Sequence, residues 1–105
     1  MKASSDPILQ RYRASLDAHY GGRIERVVLF GSRARGDFRS DSDYDIAVFL
    51  NDSGSFWFES QRLAEIGTDI LYDTGAVINA LPFAAGAWQK PTALMGELQR
   101  EGVDL

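Results

Sequence analysis

There is no cysteine in this chain, so no disulfide can staple it and no thiolate can hold zinc. That absence fits a reducing compartment, and a cytoplasmic location is expected. Long apolar runs are missing as well, and none approaches the length that crosses a membrane. The opening MKASSDPILQ has no apolar core of a secretory leader, so none is expected. Basic charge is short: 11 Lys and Arg stand against 15 Asp and Glu, a net charge of −4. Such a surface repels phosphate backbones, which argues against nucleic acid as a bulk partner. The single histidine, His19, has no second ligand at metal-binding spacing and reads as a surface or capping residue.

What is present is enough for one core. Hydrophobic residues make up 45% and aromatics 11%, an ordinary globular composition. At 105 residues a single domain spanning 1–105 is expected, with no room for a second, substrate-holding domain. Ser4, Ser5 and Asp6 before Pro7 signal a helix start, and Leu9, Tyr12, Leu16 and Tyr20 continue it at helical spacing. Gly21-Gly22 stops that helix. Ile24 to Phe30 reads as a first strand and Asp43 to Leu50 as a second. The cluster NDSGS (51–55) reads as a turn, followed by a helix from about Ser55 to Tyr72. Its interior Gly67 costs helical propensity. Asp73-Thr74-Gly75 breaks the chain, and Ala76 to Phe83 reads as a third strand ending at Pro82. A last helical stretch begins at Trp88, with Gly102 and Val103 as its cap and capping contact. The order implies an α/β (α+β) fold, a small mixed sheet with helices packed on it.

One stretch carries chemistry: Gly31 to Leu50, GSRARGDFRSDSDYDIAVFL. It opens where a strand ends in a Gly-Ser turn, and small residues there let backbone N–H groups approach a phosphate. A short helix is expected to open near Ser32. Asp43 and Asp45, two apart on a strand, point to one face about 6–7 Å apart along the chain, while Tyr44 points away. Two converging carboxylates opposite a phosphate-holding turn suit Mg²⁺, which takes one or two carboxylates together with substrate phosphates. A calcium loop starting at Asp41 fails, because it needs glycine at position 46 and glutamate at 52; this chain has Ile46 and Asp52. Asp41 reads as a solvated loop acid. Arg35-Gly36-Asp37 spells an integrin-binding tripeptide, a chance match in a chain with no sign of secretion.

Gly31-Ser32, the ten residues Arg33 to Ser42, then Asp43-Tyr44-Asp45 resemble the signature of the polymerase-β-like nucleotidyltransferase superfamily. The flanking Ala34-Arg35-Gly36 and Ser42 resemble its minimal nucleotidyltransferase (MNT) group most. The resemblance implies the polymerase-β-like fold, with Gly31 and Ser32 gripping a nucleotide triphosphate and Asp43 and Asp45 as catalytic metal ligands. It also implies Mg²⁺ as cofactor and ATP, or another NTP, as co-substrate. Of the nearby arginines, Arg33 is expected at phosphate and Arg35 in a pair with an acid.

The chain departs from the family in one place. Active members carry a third acid on the strand after the Asp-x-Asp hairpin. Here Asn79 is that strand's only polar residue, and Asp69 and Asp73 precede it. Two functions therefore stay open. One is AMP transfer from ATP to a hydroxyl on a partner, which the resemblance implies is a HEPN-domain toxin neutralised by this antitoxin. The other is a degenerate MNT-fold module that neutralises its partner by contact. An antibiotic-modifying transferase is disfavoured by the small acceptor surface. Adjacent Phe56, Trp57 and Phe58 cannot share one helix face, so at least one is expected at the surface or at an interface, homo- or hetero-oligomeric.

Overall fold

The structure, a computed structural model, describes residues 5–52 and 54–105. Ser4 of the helix-start signal and Ser53 of the turn cluster lie outside them. Helix α1 (Pro7–Tyr20) is capped by Asp6, whose Oδ1 accepts from the Ile8 N–H at 2.8 Å. A side-chain acceptor at that position satisfies one of the orphan donors of the first turn. A 3₁₀ turn (Gly21–Arg23) leads into strand β1 (Ile24–Phe30). The one-turn helix α2 (Ser32–Arg35) follows directly, and strand β2 (Tyr44–Leu50) returns antiparallel to β1. Helix α3 (Phe56–Thr74) opens on the Ser55 hydroxyl, which accepts from the Phe58 N–H, and ends at Gly75 in the left-handed region. It carries the chain over to strand β3 (Ile78–Ala84), parallel to β2. A second 3₁₀ turn (Ala85–Gln89), helix α4 (Ala93–Glu101) and strand β4 (Val103–Asp104) complete the order.

The sheet runs β3-β2-β1-β4, mixed in direction, as the sequence implied. Period-two alternation divides it into two packed faces. Val27, Leu29, Tyr44, Ile46, Val48 and Leu50 face α1 and α3, meeting Leu9, Tyr12 and Leu16 of one and Leu63, Ile66 and Ile70 of the other. Val28, Ala47 and Phe49 face Met95 and Leu98 of α4, with Phe83 and Trp88 packed on Phe49.

Several boundaries differ from the sequence reading, each for a physical reason. Strand β2 starts at Tyr44, leaving Asp43 in the loop that delivers it. Asp73 and Thr74 continue α3, and the Thr74 hydroxyl bonds back to the Ile70 carbonyl at 2.6 Å. Pro82 lies inside β3 instead of ending it, because β3 is an edge strand and the missing N–H removes no ladder bond. Trp88 belongs to the 3₁₀ turn, and α4 starts at Ala93. Gly102 caps α4, its N–H donating to the Leu98 carbonyl at 2.9 Å, but in an extended conformation (φ −69°, ψ 153°) instead of a left-handed one, and Val103 pairs with Leu29 in β4. A Cβ on Gly102 would run into the Leu98 carbonyl and Val28, so the glycine is there for close approach. Gly67 brings its bare Cα against Ile78 and Tyr12, where α3 crosses the sheet.

Candidate active site

The Gly-Ser turn and the acids come together where β1 ends and β2 begins. In the β1–β2 ladder Phe30 is the register partner of Asp45. The next residue, Gly31, takes φ +75° and ψ −157°, a conformation closed to ordinary L-residues. Its α-carbon abuts the Asp45 carboxylate so closely that an added Cβ would collide with Oδ2. Glycine is therefore required twice, for the turn and for the acid beside it. The Gly31 carbonyl accepts from the N–H groups of Ala34 and Arg35, both at 3.1 Å, which winds the single turn of α2 immediately after Ser32.

Asp45 lies on the α4 face of the sheet, half-buried, while its neighbour Tyr44 is buried on the opposite face. Burial is the main cause that pushes the Asp45 carboxyl above its usual range, and the charges of Asp43 and Glu97 add to it. A hydrogen bond from Asn79 and the charge of Arg35 act the other way. Asn79 is the β3 register partner of Asp45, and its Nδ2 donates to Asp43 Oδ2 at 2.9 Å. The amide thus ties both carboxylates together from the position where the third acid was sought.

The candidate third acids lie elsewhere. Asp73 pairs with Arg11 of α1 at 2.7 Å, and Asp69 lines a pocket with Arg11 and His19 on the far side of α3. Asp41 stays exposed in the loop. The acid that does act on Asp45 is Glu97 of α4, which the sequence did not single out. Nothing local marks it: it sits far downstream on a helix with one other acid, Glu101, and only the docking of α4 on β1 brings it close. Among the described residues no group of three or more His, Cys, Asp or Glu could hold a metal ion.

Arg33 is occupied. Its Nε donates to the Ser42 carbonyl at 3.0 Å and its Nη2 to Ser40 at 3.2 Å. The guanidinium also lies 4.0 Å from the Tyr44 ring and 4.6 Å from Phe38. It lines a cleft of about 270 Å³ with Asp6, Leu9, Leu29 and Tyr44, on the side of the sheet away from Asp45. Arg35 instead reaches Asp37 at 3.3 Å and the α4 acids Glu101 and Glu97 at 3.6 and 3.7 Å.

A hard, oxygen-only donor pair with a raised carboxyl suits a Mg²⁺ ion, which relieves the crowding of like charges while phosphates complete its shell. The same residues do not suit a second metal, since Asn79 supplies a neutral amide where an acid would be needed.

A mixed sheet with a strand-end Gly-Ser turn facing an Asp-x-Asp pair is the nucleotidyltransferase architecture, and the comparisons agree. Residues 16–102 match the family described as Polymerase beta, Nucleotidyltransferase. Over 78 residues, 74% of this chain and 72% of the relative, the chain is 33% identical to a Methanocaldococcus jannaschii protein named "Putative protein adenylyltransferase". The chain belongs to this family of nucleotidyltransferase enzymes. Among solved structures, one described as "putative minimal nucleotidyltransferase" superposes with a TM-score of 0.61 at 25% identity, covering 100% of this chain and 97% of the other. A toxin–antitoxin crystal structure with AMP-PNP superposes with a TM-score of 0.60 at 19% identity, covering 89% and 68%, and shares the fold. Among the described residues no helix is long and apolar enough to cross a membrane.

Proposed function

We propose that this chain, acting as one domain in the cytoplasm, transfers AMP from ATP to a hydroxyl on a partner protein. Asp43 and Asp45 hold one Mg²⁺, and Gly31 and Ser32 hold the triphosphate. The observation that supports the reading best is the close approach of Gly31 to the Asp45 carboxylate, as expected if the turn holds phosphate beside a metal-bound acid. Arg33, expected at phosphate, is better assigned to holding the 37–43 loop, because its bonds run to loop carbonyls and its charge lies over Tyr44. Bound Mg²⁺ supplies charge neutralisation for the triphosphate and the departing pyrophosphate.

In the transfer step the acceptor oxygen forms a bond to the α-phosphorus as the bond to the pyrophosphate oxygen breaks. The hydroxyl proton leaves to water, since Asn79 offers no base. The protein contributes position and charge more than covalent chemistry. The Methanocaldococcus relative's name supports a protein acceptor, and the toxin–antitoxin neighbour supports a toxin as the partner; its HEPN class rests on the resemblance of the motif alone.

A second reading has its own observation. Asn79 occupies the third-acid position, which favours a module that neutralises by contact and transfers nothing. Incubation of the chain with Mg²⁺, ATP and a HEPN-domain toxin, followed by intact-mass spectrometry, separates the two. A gain of one or more AMP units on the toxin, absent with Asp43→Asn, is the expected result. Neutralisation without mass gain, equally strong with Asp43→Asn, would establish the contact reading instead.

A further inference from the structure

Asn79 is an odd residue for its strand. Asparagine is disfavoured in strands. Its neighbours in β3, Ile78 and Ala80, pack on the α1/α3 core, while its own side chain stands exposed on the other face. That side chain adds nothing to the packing, and β3 pairs with β2 through backbone groups that other residues supply as well. What it does is hold acids. Nδ2 donates to Asp43 Oδ2 at 2.9 Å, and a hydrogen bond from the same side chain acts on Asp45, its register partner. Ionised carboxylates only accept, so the amide must turn its N–H groups, and not its carbonyl, toward them. Its two N–H groups match the two acids. Arg35 does not take over this task, since it makes its own ion pairs with Asp37, Glu97 and Glu101.

On the reading of this end of the sheet as a metal–nucleotide site, we infer that Asn79 is a positioning residue that sets the site for a single divalent cation. Before metal binds, the amide holds two like charges side by side without neutralising either. Each carboxylate has about four lone-pair sites, so a bond to the amide leaves the others free for a metal. The acids are thus held in place in advance, and little ordering remains when the ion arrives. The same amide limits the count. Two carboxylates balance the charge of one divalent cation, and a second cation would meet only a neutral side chain. Ligating it through Oδ1 would require the amide to turn and release both acids. Asn79→Asp reverses each effect: it repels Asp43 and Asp45 in the empty site and gives a second cation the anionic ligand it lacks.

The test counts metal. The full chain is saturated with Mn²⁺ and an ATP analogue carrying carbon between the α- and β-phosphorus, which blocks transfer. Equilibrium dialysis then gives the metal held per bound nucleotide. Wild type holds one Mn²⁺ and shows the electron paramagnetic resonance of an isolated ion. Asn79→Asp holds two, and their separation of about 3.5–4 Å, usual for paired metals, replaces that signal with a spin-coupled one. Asn79→Ala holds one but binds it roughly tenfold or more weakly, as loss of a partner that orients a ligand does. Because the side chain is exposed, both variants keep the circular dichroism of wild type. Without metal Asn79→Asp melts below wild type, and Mn²⁺ restores it. Should Asn79→Asp not fold, the wild-type count and Asn79→Ala decide alone. One Mn²⁺ in Asn79→Asp, two in wild type, or undiminished affinity in Asn79→Ala overturns the role of Asn79 and leaves the metal–nucleotide reading standing. A wild type that holds no Mn²⁺ overturns that reading and the role of Asn79 with it.

Discussion

Against α1 and α3 the sheet buries Val27, Leu29, Tyr44, Ile46, Val48 and Leu50; against α4 it buries only Val28, Ala47 and Phe49. The first face is closed by two long helices and continues through three tyrosines, Tyr12, Tyr20 and Tyr44, into a single core. The second is covered for part of its length, and the uncovered end holds Asp43, Asp45 and Asn79. Adjacent residues on one strand thus belong to opposite tasks. Tyr44 points into the core and donates to Asp6 Oδ2 at 2.7 Å, while Asp45 points to the site and carries a carboxyl raised by burial and like charge. The difference teaches where stability and chemistry are kept: the α1/α3 face holds the fold, which leaves the other free to crowd charges at its end.

Substitutions on the two faces should therefore separate. Ile46→Ala, in the centre of the first face and fully buried, should cost about 2–5 kcal/mol of stability. Urea unfolding followed by circular dichroism would read this, and a cost below 1 kcal/mol would break the comparison. Gly31→Ala should cost about 1–3 kcal/mol through its positive φ and the clash with Asp45. It should remove Mg²⁺–ATP binding as well, which Ile46→Ala should leave intact in whatever fraction stays folded. Gly67→Ala should do the reverse, gaining up to about 1 kcal/mol. Its added Cβ meets Ile78 at an ordinary 3.7 Å, on the α1/α3 face of the sheet and not on the face of Asp45. A Gly67→Ala protein that melts lower would mean that the crossing of α3 over β3 is tighter than the structure shows.

Alkali should probe the first face alone. Burial pushes the Tyr44 and Tyr20 hydroxyls up to about 12, and Tyr12 higher still. In the unfolded chain these groups ionise near the usual value of about 10. Their contribution is therefore fully present below about pH 10 and is lost as pH rises from there through about 12. Phenolate absorbance tracked against far-ultraviolet circular dichroism should show the buried tyrosines ionising together with loss of structure. Ionisation of all of them well before unfolding would contradict the packing described.

Much of this was legible in the chain. The apolar runs within Ile24–Phe30 and Ile46–Leu50, the caps Asp6 and Ser55, and the Gly-Ser to Asp-x-Asp spacing are local signals, and the strands and caps are where the structure puts them. Asn79 was visible as the odd residue of its strand, though not its bond to Asp43. What was hidden depends on elements meeting across the sheet. Glu97 comes near Asp45 only because Leu98 and Met95 dock α4 on β1 and β2. Arg33 turns away from the acids because Tyr44 and Phe38 offer ring faces and the loop offers carbonyls. Glu59, an acid buried inside α3, is explained by Arg23 at 2.7 Å and Tyr20 at 3.5 Å, partners far away in sequence. Gly102 does cap α4, but Val103, read as its capping contact, pairs in β4 instead, because Gly-Val after a helix has both readings and only the open edge of β1 decides between them.

The central claim is that the α4 face carries a metal–nucleotide site built on Asp43 and Asp45. Titration calorimetry with Mg²⁺ and ATP on wild type, Asp43→Asn and Asp45→Asn tests it most directly, with melting temperature as the check on fold. The account predicts that wild type binds and gains about 2.7 kcal/mol of stability at a hundredfold excess over the dissociation constant. Both variants should lose that gain while staying folded, Asp45→Asn even slightly stabilised without metal by less than about 1 kcal/mol, since a half-buried repelled charge has been removed. Equal affinity in all three proteins, or a wild-type melting temperature indifferent to Mg²⁺ and ATP, would contradict it.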